Sequence, residues 1–249
     1  MAKITDPSQD TGGLRGARRK LTYIYRHLVQ TYVRPYTPLH DDIIILNQVE
    51  VPIHRSFLDS YAPWFRPATP TGDNPGYEAS EIDAIRRYCR SGDRVVVVGG
   101  GLGVTAVVAA ETVGEDGSVT VFEPCDETVQ MTARTVAHNG LADRVRLVHA
   151  AIGSPHGSCF TYRMRTSVPL IPCAELPEAD VYEIDCEGGE VAILKRMTLL
   201  PRVVLVETHD NHDRVVQILQ DRGFAIDSVV DDREPGESGR THVRALRTS

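Results

Sequence analysis

From residue 78 onward, apolar runs and amphipathic stretches alternate along the chain. The stretch EASEIDAIRRYC (78–89) repeats apolar residues at helical spacing and predicts a helix, followed by a strand over DRVVVVG (93–99). Helix 103–112 leads to strand 118–124, helix 126–138 to strand 144–153, and 159–164 (CFTYRM) reads as an extra strand. Strand 180–185 then leads to helix 189–197, and strand 202–209 to helix 212–222. Strands separated by helices predict an α/β fold, a mostly parallel sheet covered on both faces. The last two apolar runs, FAIDSVV and THVRALR, are separated only by DDREPGESGR. So short a connection makes a hairpin, and the final strand is expected to run antiparallel to its neighbour.

The first 76 residues follow other rules. Residues 1–13 are polar and predict disorder. Leu21, Ile24, Tyr25, Leu28 and Tyr32 recur at helical spacing within 14–32, with basic residues mostly between them. Such a helix docks on the body of the protein or touches a polyanion or membrane surface. Residues 41–55 read as a short hairpin turning at Asn47-Gln48. Residues 62–77, with four prolines and the only tryptophan, Trp64, read as a loop that could form a lid or substrate wall. The domain division expected is therefore an extension, 1–76, and an α/β domain, 77–249.

The charge is uneven. Residues 1–35 carry a balance of +5, whereas the whole chain of 249 residues carries −7. An acidic body argues against a general nucleic-acid binder. No apolar run approaches the length of a membrane span, and the start of the chain lacks the layout of a secretory signal, so a cytoplasmic protein is expected. Five widely spaced cysteines with no CxxC pair imply free thiols rather than a disulfide framework or a zinc site.

The chemistry concentrates in GGGLG (99–103), between a valine strand and a small-residue helix. Glycines there let backbone approach a ligand where a Cβ would collide. Read from Gly99, the dinucleotide fingerprint GxGxxG fails at Val104; read from Gly101, it fits as Gly101, Gly103 and Ala106 but starts late. S-adenosylmethionine has no pyrophosphate, so that crowding is relaxed. Glu123 ends the next strand and is placed to accept hydrogen bonds from both ribose hydroxyls of a nucleoside, which suits either ligand. Asp185, Glu207 and His209 end two further strands and belong on the same rim. If a hydroxyl is the acceptor, one of the three is a candidate base, with His209 having the ordinary pKa best suited to neutral pH. Asp185 could instead orient the cofactor's amino group. Glu187 and Glu190 suit the N-terminus of the following helix, and His212 a helix surface. Asp185, Glu187, Glu207 and His209 could also hold magnesium or manganese, although no tight ligand spacing supports a metal.

Taken in order, GDRVVVVGGGLGV, VTVFEP, NGLADRVRLVHAAIG, VYEIDCEGGEVAIL, VVLVETH and LQDRGF resemble an FkbM-type class I S-adenosylmethionine-dependent methyltransferase from about Tyr77 to the end. The specific element is Asp185-Cys186-Glu187-Gly188-Gly189-Glu190, similar to the family's Asp-x-Glu-Gly-x-Glu block. The resemblance implies a Rossmann-like fold with a seven-stranded, mostly parallel sheet and a terminal antiparallel strand. It implies S-adenosylmethionine against Gly99, Gly101 and Gly103, its ribose at Glu123, its adenine near Ala151 and Ile152, and Tyr77 and Glu78 where the cofactor enters. It further implies O-methylation of a sugar, glycan or small hydroxylated metabolite. The chain departs from the family at Val97, where an acid is usual, and at Glu183, where a lysine is common. Two other readings stay open: a nicotinamide- or flavin-dependent oxidoreductase, and a catalytically silent member that kept only cofactor binding.

Overall fold

The computed structural model describes residues 39–56, 72–153, 168–186, 188–231 and 240–248. The tail 1–13, the basic helix expected over 14–32, most of the proline-rich loop, the strand expected at 159–164 and Glu187 lie outside the described residues. The chain divides into two compact units, residues 1–43 with 53–69 and residues 44–52 with 70–249. Described residues of the first belong to the outer parts of strands β1 (Leu39–Leu46) and β2 (Val49–Ser56). The two strands turn at Asn47 and Gln48, whose φ values of 50° and 70° are those of a type I′ hairpin turn. The end of β1 pairs in parallel with β3 (Asp73–Asn74), and Asp73 Oδ1 accepts from the Gln48 N–H at 3.1 Å.

The second unit is built on seven strands. They are β4 (Arg94–Val98), β5 (Ser118–Phe122), β6 (Val145–Val148), β9 (Val181–Ile184), β10 (Val203–His209), β11 (Phe224–Asp231) and β12 (Arg240–Arg247). Their order is β11-β12-β10-β9-β4-β5-β6. The five from β10 to β6 are parallel, and β12 runs antiparallel to both β10 and β11. The expected hairpin is present, with its second arm lying between β10 and β11. The central strands are valine-rich because both faces are covered, which favours β-branched side chains over alternation.

Helices α1 (Ala79–Tyr88), α2 (Val104–Val113), α3 (Asp126–His138), α4 (Glu190–Arg196) and α5 (His212–Asp221) join or precede these strands. Every residue of α2 from Val104 to Ala110 is buried, in keeping with its apolar surface all round. The strand expected over 144–153 breaks after Val148. The Ala150 N–H folds back onto the Val148 carbonyl at 3.0 Å, and β7 (Ala151–Ile152) leaves to pair in parallel with β8 (Leu170–Ile171). The four described cysteines, Cys89, Cys125, Cys173 and Cys186, are in no disulfide. No helix among the described residues is long and apolar enough to cross a membrane.

Ile193, Leu194, Leu219 and Val243 are fully buried in one core cluster where α4 and α5 meet the sheet. Truncating Leu219→Ala there leaves a cavity, and urea unfolding is expected to show a loss of about 2–5 kcal/mol.

Candidate functional site

The carboxyl ends of the parallel strands form one rim. Gly99 leaves β4 with φ 111°, and a Cβ on it would stand 2.0 Å from the Asp185 carbonyl oxygen at the end of β9. The turn therefore lies directly against the start of the Asp-Cys-Glu-Gly block. Gly103 faces α3, where a Cβ would come within 3.1 Å of the Thr132 Cα. Thr132, fully buried, donates its hydroxyl to the Gly101 carbonyl at 3.1 Å, bracing the loop from behind.

Glu123 closes the loop from the other side. Its Oε2 accepts the N–H groups of Gly100 (2.9 Å) and Gly101 (3.2 Å), and its Oε1 accepts that of Cys125 (2.8 Å). A carboxylate offers about four lone-pair sites. Three are taken by backbone donors, so one remains on Oε1. The two loop N–H groups that a dinucleotide's pyrophosphate would need are committed to this carboxylate. Of the residues expected near adenine, Ala151 and Ile152 are both buried in β7, and Ile152 packs in the same cluster as Val98 and Phe122.

Asp185, Glu207 and His209 come together as expected, but in an unexpected protonation state. His209 Nδ1 lies 2.8 Å from Glu190 Oε1, while Nε2 lies 3.4 Å from Glu207 Oε1 and 3.7 Å from Asp185 Oδ1. Burial opposes a charge on the ring, yet the hydrogen bonds to Glu190 and Glu207 and the nearby Asp185 outweigh it and raise the pKa to about 11. His209 is therefore an imidazolium at neutral pH. An imidazolium has no lone pair to offer, so in this state His209 serves as a hydrogen-bond donor to the carboxylates around it. Despite their burial, hydrogen bonds from His209 and the residues around it hold Glu190 and Glu207 below the usual carboxylate range. Glu190 is fully buried; it also accepts the Gly188 N–H and the Asn211 side-chain amide, each at 2.8 Å. The structural role expected for Glu190 is thus joined by an electrostatic one, as anchor of His209. His212 opens α5, with Nδ1 2.7 Å from the Thr241 hydroxyl.

A second layer was not anticipated. Arg240 Nε meets Glu207 Oε1 at 2.6 Å. Glu81, on the buried side of α1, shares a hydrogen bond with Glu207, and burial together with that bond pushes its pKa up to about 11. Glu78 enters α1 with φ 47°, and its carboxyl is pushed up to about 7 by burial, against a hydrogen bond with Tyr77 and helped by Glu207. Its Oε1 would be 3.6 Å from a Cβ on Gly101, which places Glu78 over the loop. The Tyr77 carbonyl accepts the side-chain amide of Asn47. Glu183 lies in register with Val97 on the adjacent strand, fully buried, and burial beside Asp185, Glu78 and Glu207 holds its carboxyl well above the ordinary value. The readable signal for Glu81 is its position on the apolar stripe of α1, in line with Ala84, Ile85 and Tyr88.

Among solved structures, the chain is similar to ribosomal protein L11 methylase from Lactobacillus delbrueckii subsp. bulgaricus. The TM-score is 0.50 at 17% identity, with 74% of this chain and 91% of that one covered. It is also similar to a SAM-dependent O-methyltransferase from Thermotoga maritima (TM-score 0.46, 16% identity, 84% and 78% covered). A third likeness is to precorrin-6y C5,15-methyltransferase from Geobacter metallireducens GS-15 (TM-score 0.48, 16% identity, 74% and 93% covered). No family model and no curated protein matches the chain. At 17% identity the likeness to the L11 methylase concerns architecture alone: a Rossmann-like α/β fold on a seven-stranded, mostly parallel sheet.

Two outcomes follow from the geometry. Gly99→Ala forces β4 and β9 apart at their carboxyl ends and is expected to lower the melting temperature and abolish ligand binding at the rim, read by calorimetry. His209→Gln removes a folded-state pKa raised above its unfolded value of about 6.5. The stabilisation His209 provides is therefore complete below that pH and declines as pH rises toward 11. The depressed Glu190 and Glu207 work the other way, losing their share as pH falls below the ordinary carboxylate value of 4.5. The difference in melting temperature between wild type and His209→Gln is expected to peak near pH 5–6 and to shrink on both sides.

Proposed function

We propose that the chain is an S-adenosylmethionine-dependent methyltransferase of FkbM type that methylates a hydroxyl of a sugar, glycan or small metabolite. The observation that carries this reading is the commitment of the Gly100 and Gly101 N–H groups to Glu123. A loop whose donors are neutralised by a carboxylate suits an uncharged nucleoside linkage and repels a diphosphate. The same observation disfavours the nicotinamide or flavin reading. The motif order and the fold agree with this choice of cofactor; the acceptor class rests on the motif order.

The residues fit the cofactor in three places. The remaining acceptor site on Glu123 Oε1 takes one ribose hydroxyl with the glycine N–H groups still bound to Oε2. Gly101 has open space in front of it apart from the Glu78 carboxyl, so a ligand can lie against its backbone. The carboxylates at the ends of β9 and β10 suit the positive charge that S-adenosylmethionine carries. When bound, the cofactor supplies an electrophilic methyl on sulfur.

The chain's own part is alignment and proton removal. Holding a hydroxyl in line with the methyl is worth about 7–11 kcal/mol in favourable cases. With His209 already protonated, Asp185 is the residue for the proton. Its side chain is 31% exposed at the rim, against 3% for Glu207. The His209 imidazolium beside it orients the carboxylate. With an acceptor hydroxyl held in line with the methyl, Asp185 would take the hydroxyl proton.

Calorimetry with S-adenosylmethionine, S-adenosylhomocysteine, NAD and FAD tests the reading. Binding of the first two with no heat from the others is expected, with Glu123→Ala weakening it about tenfold or more. Binding of NAD or FAD alone would overturn it. Asp185→Asn is expected to lower turnover at saturating cofactor about 10²–10⁴-fold, measured as S-adenosylhomocysteine release.

A further inference from the structure

Beneath the rim, a small cavity lies between the start of α1 and the β9, β10 and β12 strands. It is lined by Ser80, Glu81, Glu183, Glu207, His242 and Arg244. The register explains the convergence: Glu207 on β10 pairs with His242 on β12, and Leu205, two residues earlier, pairs with both Glu183 and Arg244. All these residues therefore face the same side of the sheet as α1.

Carboxylate oxygens of Glu81 and Glu207 and a ring nitrogen of His242 lie within 4.8 Å of one another, all three side chains being buried. His242 Nδ1 is 3.7 Å from Glu81 Oε1. Glu183, 2% exposed, presents to the same cavity an Oε2 that has no hydrogen-bond partner. Leaving such an atom unmatched costs about 1–3 kcal/mol, more for a charged group, and a cation seated in the cavity would both supply the partner and favour the ionised carboxylate. Of the nearby fixed cations, Arg240 Nε meets Glu207 Oε1 and Arg244 Nη2 binds the Ser80 carbonyl and Asp83 Oδ2, each of the latter at 3.0 Å, while the buried Arg244 Nε is, like Glu183 Oε2, without a hydrogen-bond partner among the described residues.

We propose that this cavity is a divalent-cation site with Glu81, Glu183, Glu207 and His242 as ligands and a manganese(II)-type ion as occupant. Two ligands of one hard divalent ion stand at most about 4–5 Å apart, so the separations among Glu81, Glu207 and His242 need little contraction, and Glu183 would join them from the same cavity wall. Three carboxylates with one imidazole suit manganese better than zinc, which favours nitrogen and sulfur, or calcium, which takes oxygen alone. The site is distinct from the Asp185–His209 cluster, although Glu207 serves both. It ties the first turn of α1 to three strands, and it is independent of the methyl-transfer reading.

The test uses the full chain, stripped with chelator and titrated with MnCl₂. Loss of the free-ion electron paramagnetic resonance signal at one ion per chain, a rise in melting temperature and ¹⁴N modulation from a directly bound imidazole are expected. Glu183→Gln and His242→Gln should each weaken binding about 10–100-fold, and the second should also remove the ¹⁴N signal. Free manganese equal to a buffer control, bound manganese without nitrogen coupling, or unchanged binding in both variants would each overturn the site. Should a variant fail to fold, the wild-type nitrogen signal decides. S-adenosylmethionine calorimetry on the same samples reports separately on the proposed activity.

Discussion

The contact between Gly99 and the Asp185 carbonyl governs the rim. With 2.0 Å available where a Cβ would stand, no other residue permits β4 and β9 to end so close together. Because they do, the glycine turn, the Asp-Cys-Glu-Gly block and the end of β10 share one crevice edge. Glu123 and Thr132 then hold the turn in place from β5 and α3. Every candidate side chain takes its position from that arrangement of backbone.

Charge is the second organising theme. Glu78, Glu81, Glu183, Asp185, Glu190 and Glu207 are gathered in and below the crevice, with His209, Arg240, His242 and Arg244 as the basic groups nearby. Burial penalises each carboxylate, and the penalty is met differently at each. Glu190 and Glu207 are kept ionised by an imidazolium, Glu81 keeps its proton and shares it with Glu207, and Glu183 has no donor at its Oε2. Buried groups of this sort contribute less to net stability than to defining a single arrangement, because an unmatched member is so costly.

The alternation of strands and helices was legible because period-2 and period-3.6 patterns differ and the loops are short. So was the antiparallel ending, since DDREPGESGR is too short for a crossover. The break after Val148 was not, because VHAAI carries no glycine or proline to announce it. Asp185, Glu207 and His209 could be read as rim residues from their places at strand ends. Their protonation could not, since it depends on Glu190 and Asn211 folding back from the next helix and turn. Glu81 and His242 were missed for a related reason: they stand 161 positions apart in sequence, and only the packing of α1 on the sheet beside β12 brings them face to face.

The placement of β12 has a further consequence, for the order of synthesis. During translation, β10 and β11 emerge before the strand that must lie between them. Until residues through Arg247 leave the ribosome, β10 presents an open edge rich in valine, a template for pairing with other chains. Until β12 takes that place, pairing of the β10 edge with another chain competes with closure of the sheet.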